Sequence, residues 1–171
     1  DILQLSHLDN VSETGAAPAM ETVDLLDVAR ECVERQKVNA RRSYISLTYL
    51  GESAPVTGSR VLLDELCQNL CDNAIRYNRP GGKVQIITAC TRDGHCTLTV
   101  KDNGIGIPKE AQTSVFERFY RVDKSRSKAT GGTGLGLAIV KHIARIHNAR
   151  IKLDSVVDEG TTITVIFETA S

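Results

Sequence analysis

Four glycines, Gly131, Gly132, Gly134 and Gly136, stand within six residues in the stretch ATGGTGLGLAIV, which then turns abruptly apolar. Glycine at a helix start costs roughly 1 kcal/mol relative to alanine, so a run of them implies that bare backbone is needed there. Glycine-rich backbone feeding directly into a helix presents unpaired amide hydrogens and the positive end of the helix dipole, an arrangement that holds an anion such as phosphate. Dinucleotide-binding turns share the G-x-G spacing but follow an apolar strand. The preceding RSKAT is not one.

Three further groups have chemical potential. Asn69 and Asn73 lie four apart in RVLLDELCQNLCDNAIRY, which reads as the strongest helix of the chain. At 100° per residue they stack with Glu65, Asp72 and Arg76 along one edge of an apolar face made of Leu63, Leu66, Cys67, Leu70, Cys71, Ala74 and Ile75. Two half-buried carboxamides need partners: either neighbouring loop backbone, or a ligand bearing oxygens and a metal ion. Asp102 closes an apolar strand in VKDNGIGIP, and Gly104 and Gly106 let the chain turn tightly past it. An Asp-Asn-Gly serves in many ordinary turns, yet this carboxylate can also accept a hydrogen bond from an amino group such as that of adenine. Finally, RFYRVDKSRSK carries Arg118, Arg121, Lys124, Arg126 and Lys128 against the single acid Asp123. It reads either as solvated surface or as a phosphate-facing lid, which Phe116 and Phe119 would anchor.

These groups need a scaffold. Helical periodicity starts at Thr22, the expected cap, and runs through 22–38. A β-rich stretch follows, ending at Gly51, and then the helix 60–77. Residues 83–102 read as two strands joined by a two-residue turn at Asp93-Gly94. Residues 103–132 are irregular, and a structureless stretch of about 30 residues in a small domain usually serves as a functional lid. A helix over 134–147 and two closing strands around DEG complete the chain. About five strands and three main helices that do not strictly alternate predict a two-layer α/β sandwich, with a mixed sheet and the helices on one face.

The chain has 171 residues, 41% hydrophobic and 25% charged, with 21 basic and 21 acidic residues. That describes one globular domain and does not suggest a nucleic-acid partner. No apolar run reaches a membrane span. The single methionine is Met20 and the chain opens Asp-Ile-Leu, so it reads as a piece of a longer protein. Five cysteines, Cys32, Cys67, Cys71, Cys90 and Cys96, form no disulfide framework in their spacing. They read as small buried hydrophobes in a reducing compartment.

In this order the pieces resemble the ATP-binding catalytic domain of bacterial sensor histidine kinases. That family is one branch of the superfamily that includes DNA gyrase, heat-shock chaperone and mismatch-repair ATPases. NLCDNAIRY is similar to its N box, DNGIGIP to its G1 box, FERFYRVD to its F box, GGTGLGLAIVKHI to its G2 box and EGTTITV to its final glycine–threonine motif. The resemblance spans roughly residues 20–168, and the F box points to the kinase branch. It implies a Bergerat-type fold with a long ATP lid, ATP as substrate and Mg2+ as cofactor. By resemblance, Asn73 holds the metal with Asn69 beside it, and Arg76 and Tyr77 meet the phosphate and sugar ends. Asp102 reads the adenine amine, Gly104, Gly106 and Ile107 line the base pocket, and Thr162 closes it. Arg121 and Arg126 reach the terminal phosphate from the lid, while Gly132, Thr133, Gly134, Leu135, Gly136 and Leu137 form its phosphate-facing end. The implied catalytic set is Asn69, Asn73 and Arg121.

The resemblance divides the chain into 1–14, the end of an upstream dimerisation and phosphoacceptor helix with its linker, and 15–171, the catalytic domain. The implied partners are that dimerisation domain and a cognate response regulator. The parent would be a homodimer anchored in the cell membrane, and this part a cytoplasmic, by itself monomeric, unit. Two departures stand out: Cys67 and Cys71 occupy usually aliphatic positions, and HNAR replaces a glycine pair after the third helix, where Asn148 can take the left-handed conformation of a C-cap. The family's acceptor histidine precedes an acid and then a proline; His7, His95, His142 and His147 all lack that context. The chain is therefore expected not to label itself.

Overall fold

The structure is a computed structural model that describes residues 19–112 and 136–168. Strand β1 (Glu21–Asp24) runs into helix α1 (Leu25–Arg42), followed by β2 (Ser46–Gly51), β3 (Pro55–Gly58) and helix α2 (Arg60–Arg76). The strands β4 (Lys83–Cys90) and β5 (His95–Asp102) come next, then helix α3 (Gly136–Ile146) and the closing strands β6 (Arg150–Val156) and β7 (Gly160–Glu168).

Five strands form one mixed sheet in the order β2-β4-β5-β7-β6. β2 runs parallel to β4, and every other pairing in this sheet is antiparallel. The parallel pair is possible because β3 and α2 intervene, a crossover long enough to return the chain to the same end. Period-two alternation decides which side chains meet the helices. Cys96, Leu98 and Val100 of β5 are buried directly opposite Phe167, Val165 and Ile163 of β7. Helix α2 packs against both α1 and α3 and contributes Leu63, Leu66, Cys67, Leu70, Cys71, Ala74 and Ile75 to the core, with Leu62 added. This is the expected two-layer α/β sandwich.

Three local expectations are corrected. The first helix is not capped at Thr22, which lies in β1 opposite Thr57 of β3, in a separate two-stranded sheet. The cap is Asp24, whose Oδ1 accepts from Leu26 N at 3.0 Å and from Ala54 N at 2.8 Å. An aspartate that caps a helix and ties down a distant loop outweighs a threonine with neither contact. The β4–β5 turn is longer than the two residues of Asp93-Gly94. Cys90 pairs with Cys96 across it, and Thr91 N donates to His95 O at 2.7 Å. Asn148 does adopt the left-handed conformation at φ 54°, ending α3.

The third correction concerns the cysteines. Cys90 and Cys96 form a cross-strand disulfide, although their spacing of six shows no framework. Register alone brings them face to face. Cys32, Cys67 and Cys71 are buried free thiols, as expected. Closing a loop this short restricts the unfolded chain by about 2 kcal/mol. Reducing the domain with a dithiol is therefore expected to lower its unfolding free energy by about that amount in urea titrations. An unchanged midpoint would mean that the disulfide contributes nothing to stability.

Candidate active site

Helix α2 starts at the Ser59 cap, whose Oγ accepts from Leu62 N at 3.3 Å, and its apolar face fixes its rotation. That rotation leaves Asn69, Asn73 and Arg76 half-buried along one edge of the helix. Asn69 Nδ2 donates to its own helix at Glu65 O, 2.8 Å away, which directs Oδ1 outward. Asn73 makes no side-chain hydrogen bond among the described residues. The first residue of α3 faces both: a β-carbon built on Gly136 would stand 3.2 Å from Asn73 Nδ2 and 3.6 Å from Asn69 Oδ1. The first described turn of α3 therefore lies against the edge of α2 that carries the two carboxamides.

The other end of the site is built around Asp102. Its Oδ1 accepts from Gly104 N at 2.9 Å and from Thr161 N at 3.2 Å, while Oδ2 has no partner among the described residues. Burial raises its carboxyl to about 6, against the pull of those two hydrogen bonds. The loop after it is pinned from both sides. Ile105 N donates to Tyr77 O at the end of α2, and Asp158 N from the β6–β7 turn donates to Ile105 O. Ile107 N reaches Ser155 Oγ at 2.7 Å. A β-carbon on Gly104 would collide with the Tyr77 carbonyl; one on Gly106, at φ +73°, would collide with that of Val156. Both glycines are required by this close approach.

Among the described residues, Gly136 thus stands beside Asn69 and Asn73, the loop of Asp102, Gly104, Gly106 and Ile107 is tied to Tyr77, which follows Arg76 at the end of α2, and Leu137 packs against the core. Arg121, Arg126, Gly132, Thr133, Gly134 and Leu135, with the basic run around them, lie outside the described residues, as does the segment 1–14. Thr162 is displaced by one position. It pairs with Lys101 on the outer face of the sheet, whereas Thr161 stands opposite Asp102 and is 9% exposed. Strand alternation makes the two threonines of EGTT inequivalent, and only the register says which one faces inward.

Other contributors carried no local signal. Gln112 Nε2 bridges Ile107 O and Ser155 O at 3.0 and 3.1 Å, and Asn103 Oδ1 accepts from Lys83 N at 2.7 Å. These contacts span 20 residues or more apart from the Gln112–Ile107 one. His147 is committed structurally: Nε2 accepts from Ser59 N at 3.0 Å, and Nδ1 lies 2.8 Å from Ile143 O.

Residues 58–171 match the family described as histidine kinase-, DNA gyrase B- and HSP90-like ATPase. The chain belongs to this family. It is 46% identical over 170 residues to the sensor-like histidine kinase SenX3 of Mycolicibacterium smegmatis, covering 96% of this chain and 42% of that protein. It is 37% identical to the sensor protein kinase WalK of Staphylococcus saprophyticus, covering 95% and 26%. The chain thus spans less than half the length of these relatives. Among solved structures, the mycobacterial sensor histidine kinase MprB superposes with a TM-score of 0.76 at 32% identity, covering 89% of this chain and 99% of that one. ShkA, solved full-length with AMPPNP, shares the fold, with a TM-score of 0.80 at 22% identity and coverage of 99% and 35%. By these matches the chain is a histidine kinase-type ATPase catalytic domain, similar to those of the sensor kinases named above. No helix among the described residues is long and apolar enough to cross a membrane.

Proposed function

We propose that this domain binds Mg-ATP with its adenine amine on Asp102 Oδ2 and its phosphates between Asn69, Asn73 and the start of α3. From there the γ-phosphate passes to a histidine of an upstream dimerisation domain, for relay to a response regulator. The observation that carries this reading is the juxtaposition of Gly136 with both carboxamides of α2, the helix whose C-terminal end, at Tyr77 O, holds the loop after Asp102 through Ile105 N. Arg76 and Tyr77 flank the phosphates and sugar, Gly104, Gly106 and Ile107 line the base, and Thr161 closes its end. Arg121 and Arg126 would reach the terminal phosphate from the segment 113–135, with Gly132, Thr133, Gly134 and Leu135 leading into α3.

The donor set fits Mg2+. Asn73 and Asn69 offer two neutral oxygens, and Mg2+ is ordinarily held by one or two protein oxygens together with phosphates and water. No cluster of three or more histidine, cysteine, aspartate or glutamate side chains able to hold a metal occurs among the described residues, so phosphate would complete the shell. Bound there, the ion would neutralise phosphate charge. The residues themselves position the nucleotide and exclude alternative geometries, which is most of what phosphoryl transfer asks of a protein. The parent is read as a membrane-anchored homodimer, with residues 1–14 as the end of its dimerisation helix and 15–171 as the catalytic domain.

The test is transfer. Incubated with radiolabelled ATP and a separately produced dimerisation hairpin from the same parent, the domain is expected to place acid-labile, base-stable phosphate on the hairpin. It should place none on itself, consistent with the engagement of both His147 ring nitrogens. Stoichiometric label on a resident histidine would overturn this reading. ATP binding without any transfer to the hairpin would make the domain an ATP-gated interaction module instead.

A further inference from the structure

A polar ladder crosses from helix α1 to the edge of the site. Asn39 donates from Nδ2 to Gln36 Oε1 at 3.0 Å and to Asp72 Oδ1 at 3.5 Å, using both hydrogens of its amide. Gln36 Nε2 donates in turn to Gln68 Oε1 on α2 at 2.7 Å. Asp72 presents its second oxygen, Oδ2, to Arg76 Nε at 3.1 Å, one helical turn away. Both side chains of this pair are partly buried, at 30% and 28% exposure. Desolvation raises the Asp72 carboxyl, and the Arg76 charge is the larger of the two influences opposing it.

Stability alone does not account for this arrangement. A carboxylate drawn into a helix–helix contact loses hydration, and an apolar pair of similar size there commonly packs at least as favourably. What the ladder does achieve is orientation. Arginine is long and rotamer-rich, and an anion that captures it must order it first. Tethering Nε leaves the two terminal nitrogens, which form the planar fork suited to phosphate oxygens, on the same edge of α2 as Asn69 and Asn73.

We infer that Asp72, braced by Asn39, is a positioning residue for the nucleotide's phosphates: it holds Arg76 by Nε so that the rest of the guanidinium meets the anion already oriented. Helix α1 thereby acts on the site although it supplies no residue that touches ligand. This rests on the nucleotide reading above.

The experiment measures the affinities of the domain for ATP and for adenosine by NMR titration, following the Gly104 and Gly106 amides. Asp72→Asn keeps the size of the side chain and its contact with Asn39 but removes the charge that holds Arg76. It is expected to weaken ATP by about five- to tenfold, with adenosine changed by less than about twofold. Asn39→Ala is expected to weaken ATP by about threefold in the same selective way. In an Arg76→Ala background, adding Asp72→Asn should change ATP affinity by less than about twofold, because the residue it acts through is gone. An undiminished loss in that background, an equal loss for adenosine, or no loss of ATP affinity in Asp72→Asn would each overturn the inference. Failure of the parent domain to bind ATP would instead overturn the nucleotide reading, so the two failures are distinguishable.

Discussion

Asp102→Asn is expected to weaken ATP binding by about five- to 150-fold while leaving the fold intact. Asparagine can keep its oxygen where Oδ1 accepts from Gly104 N and Thr161 N. Its amide nitrogen then takes the place of Oδ2 and confronts the adenine amine with a donor where an acceptor stood. Losing one partner in a half-buried site costs about 1–3 kcal/mol, which converts to that range of affinity. Calorimetry with ATP and with an analogue lacking the exocyclic amine separates the causes. The variant should lose affinity for ATP and little for the analogue, and equal losses would remove Asp102 from base reading.

The same residue gives opposite pH trends in the free and bound domain. Its folded carboxyl is raised to about 6, above its ordinary value of 3.8. A raised folded value means that the native state takes up a proton before the unfolded chain does as pH falls. Ionisation of Asp102 therefore lowers the stability of the ligand-free domain at neutral pH, and stability from this group is regained as pH drops through about 6. ATP affinity runs the other way, because only the carboxylate accepts from the amine. It should be full near pH 7 and fall below about 6, and Asp102→Asn should abolish both trends.

Asn73→Ala is expected to weaken Mg-dependent binding of both ADP and ATP by about ten- to 150-fold. That is the range for a lost contact to a charged group worth about 1.5–3 kcal/mol. Helix α2 is held on both sides by α1 and α3, so the Asn73 amide cannot be replaced by a shift of backbone. Chelating Mg2+ supplies the control. The parent domain should lose most of its ADP affinity on chelation, whereas Asn73→Ala should lose little more than it has already lost. If chelation affects both proteins equally, Asn73 does not hold the ion and acts on the phosphates alone.

Much of this architecture is legible in the sequence itself. The apolar spacing of α2 announces its buried face, and with that face set, the position of Asn69 and Asn73 on its edge follows from 100° per residue. Glycines closely following an acid at the end of an apolar strand announce the turn after Asp102. What escaped were the choices made by partners distant in the chain. Thr22 and Asp24 are both acceptable caps locally; Ala54 N and Ser53 Oγ, from a loop some 30 residues away, choose Asp24.

By itself, the sequence determined the class of fold, the order of the site's pieces along the chain and the chemistry each can offer. These depend on periodicity and residue type, which are local properties. Tertiary structure alone decided which of two adjacent threonines faces Asp102, that Cys90 meets Cys96, and that Asp72 and Asn39 stand behind Arg76. Each of those outcomes turns on strand register or on the azimuth of one helix against another. A shift of a single residue reverses every side chain on a strand, yet leaves composition and local pattern unchanged.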